Sequence, residues 1–264
     1  MPAPDPAEPE VMNISGNTVF IPGATSGIGL ALALRLQAAG NTVVIGGRRA
    51  EVLAQLATEH GFATVRIDTA DPESIRAAAT QVLAEHPDLN VLIAMAGIMR
   101  VEDWRSDGFL ADAEEIVTTN LLGPIRLIAA FTAHLQSRPD ATIVTVSSGL
   151  AHTPLRVTPT YNATKAAIHM LSESIRLQFA GTSVSVLELV PPAVATELLP
   201  GQSESPFAMP LDAFVDETMA LIEAQPDAHE ILVENVKLLR FGEVRGDYAE
   251  TVATVNRLDP HGNA

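Results

Sequence analysis

A tyrosine and a lysine four residues apart, in Tyr161-Asn162-Ala163-Thr164-Lys165, are the side chains best suited to do chemistry. On a helix, positions i and i+4 share a face, so a phenol and an ammonium would project together. A free phenol titrates near ~10 and transfers protons poorly at neutral pH. A neighbouring ammonium stabilises the phenolate and brings that value down, which suits general acid–base catalysis. The chain holds two tyrosines and two lysines, so the pairing is not drawn from an abundance of either. Thirteen residues upstream, Val146-Ser147-Ser148-Gly149 closes an apolar run, and Ser148 there can hydrogen-bond a carbonyl oxygen. Asn120, in Thr118-Thr119-Asn120-Leu121-Leu122-Gly123, is an amide inside an apolar helix. If buried it needs partners, and a structural and a direct role both stand open.

A second pattern suits an anion. In Gly23-Ala24-Thr25-Ser26-Gly27-Ile28-Gly29, Gly23 permits a tight turn, Gly27 lets backbone approach a pyrophosphate, and Gly29 lets a helix pack on a sheet. The helix that follows would present free N–H groups and a partial positive charge. The Gly-x3-Gly-x-Gly spacing differs from the three-glycine fingerprint of other dinucleotide folds. Pro22, immediately before the turn, removes a backbone donor.

The elements that must position these residues are apolar strands alternating with helical segments. Strands are expected over 18–21, 42–45, 63–67, 91–94, 142–146 and 184–189. Helices are expected over 27–39, 51–60, 72–85, 111–135 and 160–179. Asp71-Pro72-Glu73 supplies an N-cap, a proline at the first helical position and an early acid. Strands this apolar are buried on both faces, and their alternation with helices makes the sheet parallel. The fold class is α/β, a Rossmann-like doubly wound sheet with helices on both faces, in a single domain over 13–264. Ligands bind such sheets outside the carboxyl ends of the strands, where every motif above falls.

Composition bounds the rest. The 264 residues are 47% apolar and 18% charged, an ordinary globular balance. No stretch approaches 18 consecutive apolar residues, so no membrane span is expected. There is no cysteine, which excludes disulfides and thiolate zinc sites; no metal is implied. A net charge of −16 argues against nucleic acid and anionic membrane as partners. The proline-rich, acidic start, residues 1–12, reads as a disordered tail and not a secretory signal, so a cytoplasmic location is expected.

The glycine turn, Asn120, Ser148, Tyr161 and Lys165, in this order and spacing, resemble the short-chain dehydrogenase/reductase superfamily over nearly all of residues 13–235. The text MNISGNT…GATSGIG…LNVLIAMAGI…SSGLA…YNATKAAIH…LVPPAVATE is similar to its DltE-like oxidoreductase branch. The resemblance implies a catalytic set of Asn120, Ser148, Tyr161 and Lys165. Tyr161 would exchange a proton with a carbonyl or alcohol, and Lys165 would bind the nicotinamide ribose and depress the phenol. Ser148 would orient the carbonyl, and Asn120 would hold a relay water. A cofactor site would comprise Gly23, Thr25, Ser26, Gly27, Ile28 and Gly29 with Arg48, Arg49, Asp68, Thr69, Ala96, Gly97, Tyr161 and Lys165. Pro191, Val194 and Thr196 would complete it at the nicotinamide, with Pro192 in place of the family's glycine. Arg48-Arg49, where an acid would serve NAD, favour NADPH/NADP+ over NADH. Residues 197–215 match the substrate lid, and the helices over 111–135 and 160–179 match dimer faces, implying a homodimer or homotetramer. His152 is a candidate for the substrate pocket or a solvated loop histidine, whereas His169 reads as packing or interface. The expected activity is reduction of a ketone or aldehyde, or the reverse. A nucleotide-binding or regulatory protein without turnover, and a non-redox isomerase or cyclase, stay open beside it.

Overall fold

The computed structural model describes residues 12–259. Seven strands form one parallel sheet: β1 Thr18–Pro22, β2 Thr42–Gly47, β3 Ala63–Arg66, β4 Val91–Ala94, β5 Ala141–Val146, β6 Val184–Leu189 and β7 Glu230–Ile231. Their order is β3-β2-β1-β4-β5-β6-β7, so the winding reverses between β1 and β4. A crevice opens at such a reversal, outside the carboxyl ends of the strands.

Alternate strand residues feed two cores. Val19 and Ile21 of β1 and Val91 and Ile93 of β4 pack on one face. Helices α1 (Gly27–Ala38), α2 (Ala50–His60) and α7 (Leu211–Ala224) cover that face. Phe20 and Leu92 point the other way, under α3 (Pro72–Glu85) and α5 (Gly123–Gln136). Asp71 caps α3 by accepting the Glu73 N–H at 2.9 Å, and Pro72 stands at its first position.

Several boundaries differ from expectation. Met12, assigned to the tail, is buried in the first core; residues 1–11 lie outside the described residues. The helix expected over 111–135 is α4 (Phe109–Val117), a π turn (Thr118–Leu122) and then α5. Pro124 has no N–H to return to the Asn120 carbonyl four residues earlier, and the helix widens there. By length and composition alone Phe109–Gln136 could cross a membrane, but Leu127, Phe131 and Leu135 are buried in the second core. Residues 211–215 of the expected lid are the first turn of α7. Strand β7 and the C-terminal helices α8 (Lys237–Arg240), α9 (Gly242–Arg245) and α10 (Tyr248–Leu258) were not expected at all. The remaining long helix, α6 (Pro159–Phe179), carries Tyr161 and Lys165.

Candidate active site

A cleft of about 720 Å³ lies at the winding reversal. Thr25, Ser26 and Ile28 of the glycine turn line it together with Arg48, Arg49, Asp68, Thr69, Ala96 and Gly97. So do Tyr161, Lys165, Pro191, Val194 and Thr196. The glycines are required by close approach. A Cβ on Gly23 would lie 2.7 Å from the Ala96 backbone, and one on Gly29 would lie 2.6 Å from the Gly23 carbonyl. Gly23 and Gly27 also hold positive φ, +95° and +56°. Ser26 at the N-cap of α1 makes no side-chain capping bond, and the first turn carries no acid. Its amides are left for another acceptor.

Pro22 fits because the ladder has ended where its donor would be needed. It pairs Gly46 on β2, and the next N–H, of Gly23, donates to the Gly46 carbonyl at 2.8 Å. On the other side the β1–β4 register stops at Phe20 against Leu92. A further step would direct the residue 22 donor to the Ile93 carbonyl. That carbonyl instead accepts the Met95 N–H at 2.8 Å. Met95 then extends over Gly29, where an added Cβ would stand 3.0 Å from its Cγ.

The arginines divide their work. Arg49 donates to the Thr25 hydroxyl at 2.9 Å, lying across the glycine turn. Arg48 is exposed and forms no hydrogen bond or ion pair among the described residues. Asp68 accepts the Ala70 N–H at 3.0 Å, which shapes the turn after β3.

Ser148, Tyr161 and Lys165 meet at the inner end of the cleft, all buried. Burial pushes the phenol up to about 12, while hydrogen bonding with Ser148 pulls the other way. Burial also lowers Lys165 to about 8, opposed by the charge of Glu188. The ammonium lies 5.5 Å from the Tyr161 ring centre and donates to the Val146 carbonyl at 2.8 Å. The expected depression of the phenol is therefore not met. Desolvation outweighs an ammonium engaged elsewhere.

Asn120 does not line the cleft. Its amide accepts the Ile98 N–H and donates to the Ile98 carbonyl, each at 2.8 Å, and also donates to the Thr164 hydroxyl at 3.4 Å. It clamps the loop after β4 and positions Gly97 beside Lys165; a Cβ there would be 3.8 Å from Nζ.

Three polar groups escaped the sequence reading. Glu188, fully buried on β6, accepts from Ser147 and lies 3.0 Å from His169 Nδ1. Glu102 is buried and accepts both the N–H and hydroxyl of Thr160, at 2.9 and 2.6 Å, capping the helix that carries Tyr161. Arg240 holds Glu230 with two bonds of 2.9 and 3.0 Å. A lone acid in the apolar run VLEL was a signal available for Glu188; Glu102, 58 residues from its partner, had none.

His152 is turned away from the cleft, its ring 4.5 Å from that of His169. Burial first, then the charge of Arg240, hold it down to about 4. His152, His169 and Glu230 could together face a metal ion. The Arg240 guanidinium already occupies the Glu230 carboxylate, and Glu188 occupies His169.

A second cavity, of about 270 Å³, adjoins the first. The two share Ser148, Tyr161, Pro192, Leu198 and Gln202. The phenol and the serine hydroxyl thus stand where a polar, phosphate-suited cleft meets an apolar pocket.

Comparison with known proteins shows the family. The family model described as short chain dehydrogenase matches residues 17–206. The uncharacterized oxidoreductase DltE of Bacillus subtilis is 44% identical over 193 residues, 71% of this chain and 75% of that protein. The 2,3-dihydro-2,3-dihydroxybenzoate dehydrogenase of Escherichia coli is 31% identical over 71% of this chain and 73% of its own length. Among solved structures, a short chain dehydrogenase from Burkholderia cenocepacia in complex with NADP superposes with a TM-score of 0.80 at 25% identity. It covers 92% of this chain and 99% of that one.

Proposed function

The chain belongs to the short-chain dehydrogenase family, and from that premise we propose that it is an NADP(H)-dependent oxidoreductase interconverting a ketone or aldehyde and an alcohol. The observation that carries this reading is the junction: Ser148 and Tyr161 line both the cofactor-sized cleft and the apolar pocket.

The cleft fits a dinucleotide. Gly23 and Gly29 admit backbone where a Cβ would collide, and the uncapped α1 N-terminus suits the pyrophosphate. Arg48 is exposed at the end of β2, where a 2′-phosphate would lie. Arg49 steadies the turn through Thr25. Asp68 and Thr69 would face the adenine, and Pro191, Val194 and Thr196 the nicotinamide. A nicotinamide held there would supply or accept the hydride.

The chain's own residues then handle the proton. Ser148 donates to the carbonyl oxygen and holds it beside Tyr161. The phenol, protonated across the neutral range, gives its proton to that oxygen as negative charge develops there. Lys165, still an ammonium at neutral pH, stabilises the phenolate left behind. Oxidation of an alcohol runs the same transfer backwards. Asn120 positions the loop at Gly97 through Ile98.

A homo-oligomer is part of this proposal, supported by two exposed apolar faces: Leu110, Val117, Leu122 and Ile125 along α4, the π turn and α5, and Met170 and Leu177 on α6. Light scattering should give a dimer or tetramer mass. The function itself is tested by NADPH oxidation against a panel of ketones and aldehydes. Turnover with NADPH supports it; binding of NADPH with no turnover of any carbonyl would leave a nucleotide-binding protein.

A further inference from the structure

Resting on that reading, we propose that the substrate is an uncharged, largely apolar carbonyl compound of moderate size, or its alcohol, selected by the C-terminal segment of this chain. The cavity beside Ser148 and Tyr161 is walled near the phenol by Met99, Leu155 and Leu199, which pack with Tyr161 as a separate buried cluster. Its far wall is Leu239, Val255 and Leu258. These lie beyond residue 206, where the family match ends. The far wall is therefore set by residues outside the matched family segment.

The far wall is fixed, not loose. Val255 and Leu258 stand three apart on α10 and share a face. Between them Asn256 donates to the Pro154 carbonyl at 2.9 Å and accepts the Arg156 N–H at 2.7 Å. The helix is thereby held against the segment that carries Leu155.

Charge decides the class. Among the described residues lining this cavity there is no lysine, arginine or histidine, and there is one carboxylate, Asp259. Lys165 lines only the other cleft, and its ammonium is held by the Val146 carbonyl. A carboxylate, phosphate or sulfonate entering here would leave water and meet no cationic side chain among the described lining residues. Size follows from volume. About 270 Å³ sits just below the roughly 300–1,000 Å³ usual for drug-sized ligands. That accommodates a medium-chain or ring ketone.

The test is a series of straight-chain 2-ketones of increasing length, each paired with the keto acid of equal length, assayed by NADPH oxidation on the full chain. The expected kcat/KM rises about 3- to 4-fold per methylene until the cavity is full, with each keto acid at least about tenfold worse. Val255→Trp should then raise KM for the longest good ketone about tenfold, with the NADPH Kd unchanged, which also reports that the variant is folded. Keto acids equal to or better than ketones, or no dependence on length, would overturn the inference and leave the reductase reading standing. If no ketone turns over, calorimetry of the same pairs on the NADP+-saturated protein decides. Tighter binding of the ketones keeps the pocket assignment and removes the reductase reading alone; tighter binding of the keto acids, or no binding, overturns the pocket assignment.

Discussion

The Lys165 ammonium lies 5.5 Å from the centre of the Tyr161 ring, yet its hydrogen bond goes to the carbonyl of Val146 at 2.8 Å. The two side chains share a helix face as their spacing requires. Even so, the phenol is held at about 12 by burial while the lysine falls to about 8. Of the two, the lysine is therefore the group shifted toward neutral pH.

A pH dependence follows with a definite sign. A lowered lysine pKa means the ammonium is present below about 8 and lost above it. Reduction needs that cation, so kcat/KM for the carbonyl should be level at lower pH and fall as pH rises through about 8. The phenol keeps its proton throughout this range. Because the Glu188 charge raises Lys165, Glu188→Gln should move the break to lower pH. A pH–rate profile of both proteins checks this; an unmoved break would mean Glu188 only holds Ser147 and His169 in place.

Coenzyme choice should rest on Arg48. A guanidinium bonded to a phosphate contributes about 1.5–3 kcal/mol. Arg48→Ala should therefore raise KM for NADPH by roughly 10- to 100-fold and leave NADH nearly unchanged. Arg49 is bonded to Thr25, so Arg49→Ala should weaken both coenzymes by similar, smaller factors. Equal effects of Arg48→Ala on the two coenzymes would make it a plain surface charge.

Glu102 provides a separate test of how the phenol is aimed. Its carboxylate holds the Thr160 N–H and hydroxyl at the start of α6, next to Tyr161. Loss of a helix cap costs about 0.5–2 kcal/mol. Glu102→Ala should lower the urea midpoint accordingly and reduce kcat, with the NADPH Kd little changed. Glu102→Gln, which keeps an acceptor, should recover most of both losses.

Pro22 should prove an accommodated residue and not a lesion. The acceptor its missing donor would have met, the Ile93 carbonyl, is taken by Met95. The Gly23 and Ala96 backbones meet directly in the space where a side chain would stand. Pro22→Thr alone should give no clear gain in NADPH affinity, because no asparagine stands at 94 or 95 to receive the new hydroxyl. A clear gain by calorimetry would reverse that conclusion.

The sheet and the cofactor-sized cleft were legible because their signals are local. Val19–Ile21 and Val91–Ala94 are unbroken apolar runs, and the glycines at 23, 27 and 29 mark close approach by their spacing alone. The second cavity was not legible. Val255 and Leu258 sit on a helix, YAETVATVNRL, of mixed polar and apolar residues, and their partner Leu155 is a hundred residues away in the chain. Glu102 caps a helix from a distant loop, which no short window shows. The state of Tyr161 was misjudged because a motif reports which groups are neighbours and says nothing of how far water is excluded. The widened turn at Asn120 could have been anticipated from Pro124, four residues on.

The most direct measurement is Tyr161→Phe, followed by single-turnover reduction and NADPH calorimetry on the same preparation. The phenylalanine ring fills the same buried site and has no proton to give. We expect kcat to fall by about 10²–10⁴-fold, the usual weight of general acid catalysis, with the NADPH Kd within about threefold of the unaltered protein. Retention of more than about a tenth of the rate, with the coenzyme still bound, would contradict the account, since the proton would then have to come from another group.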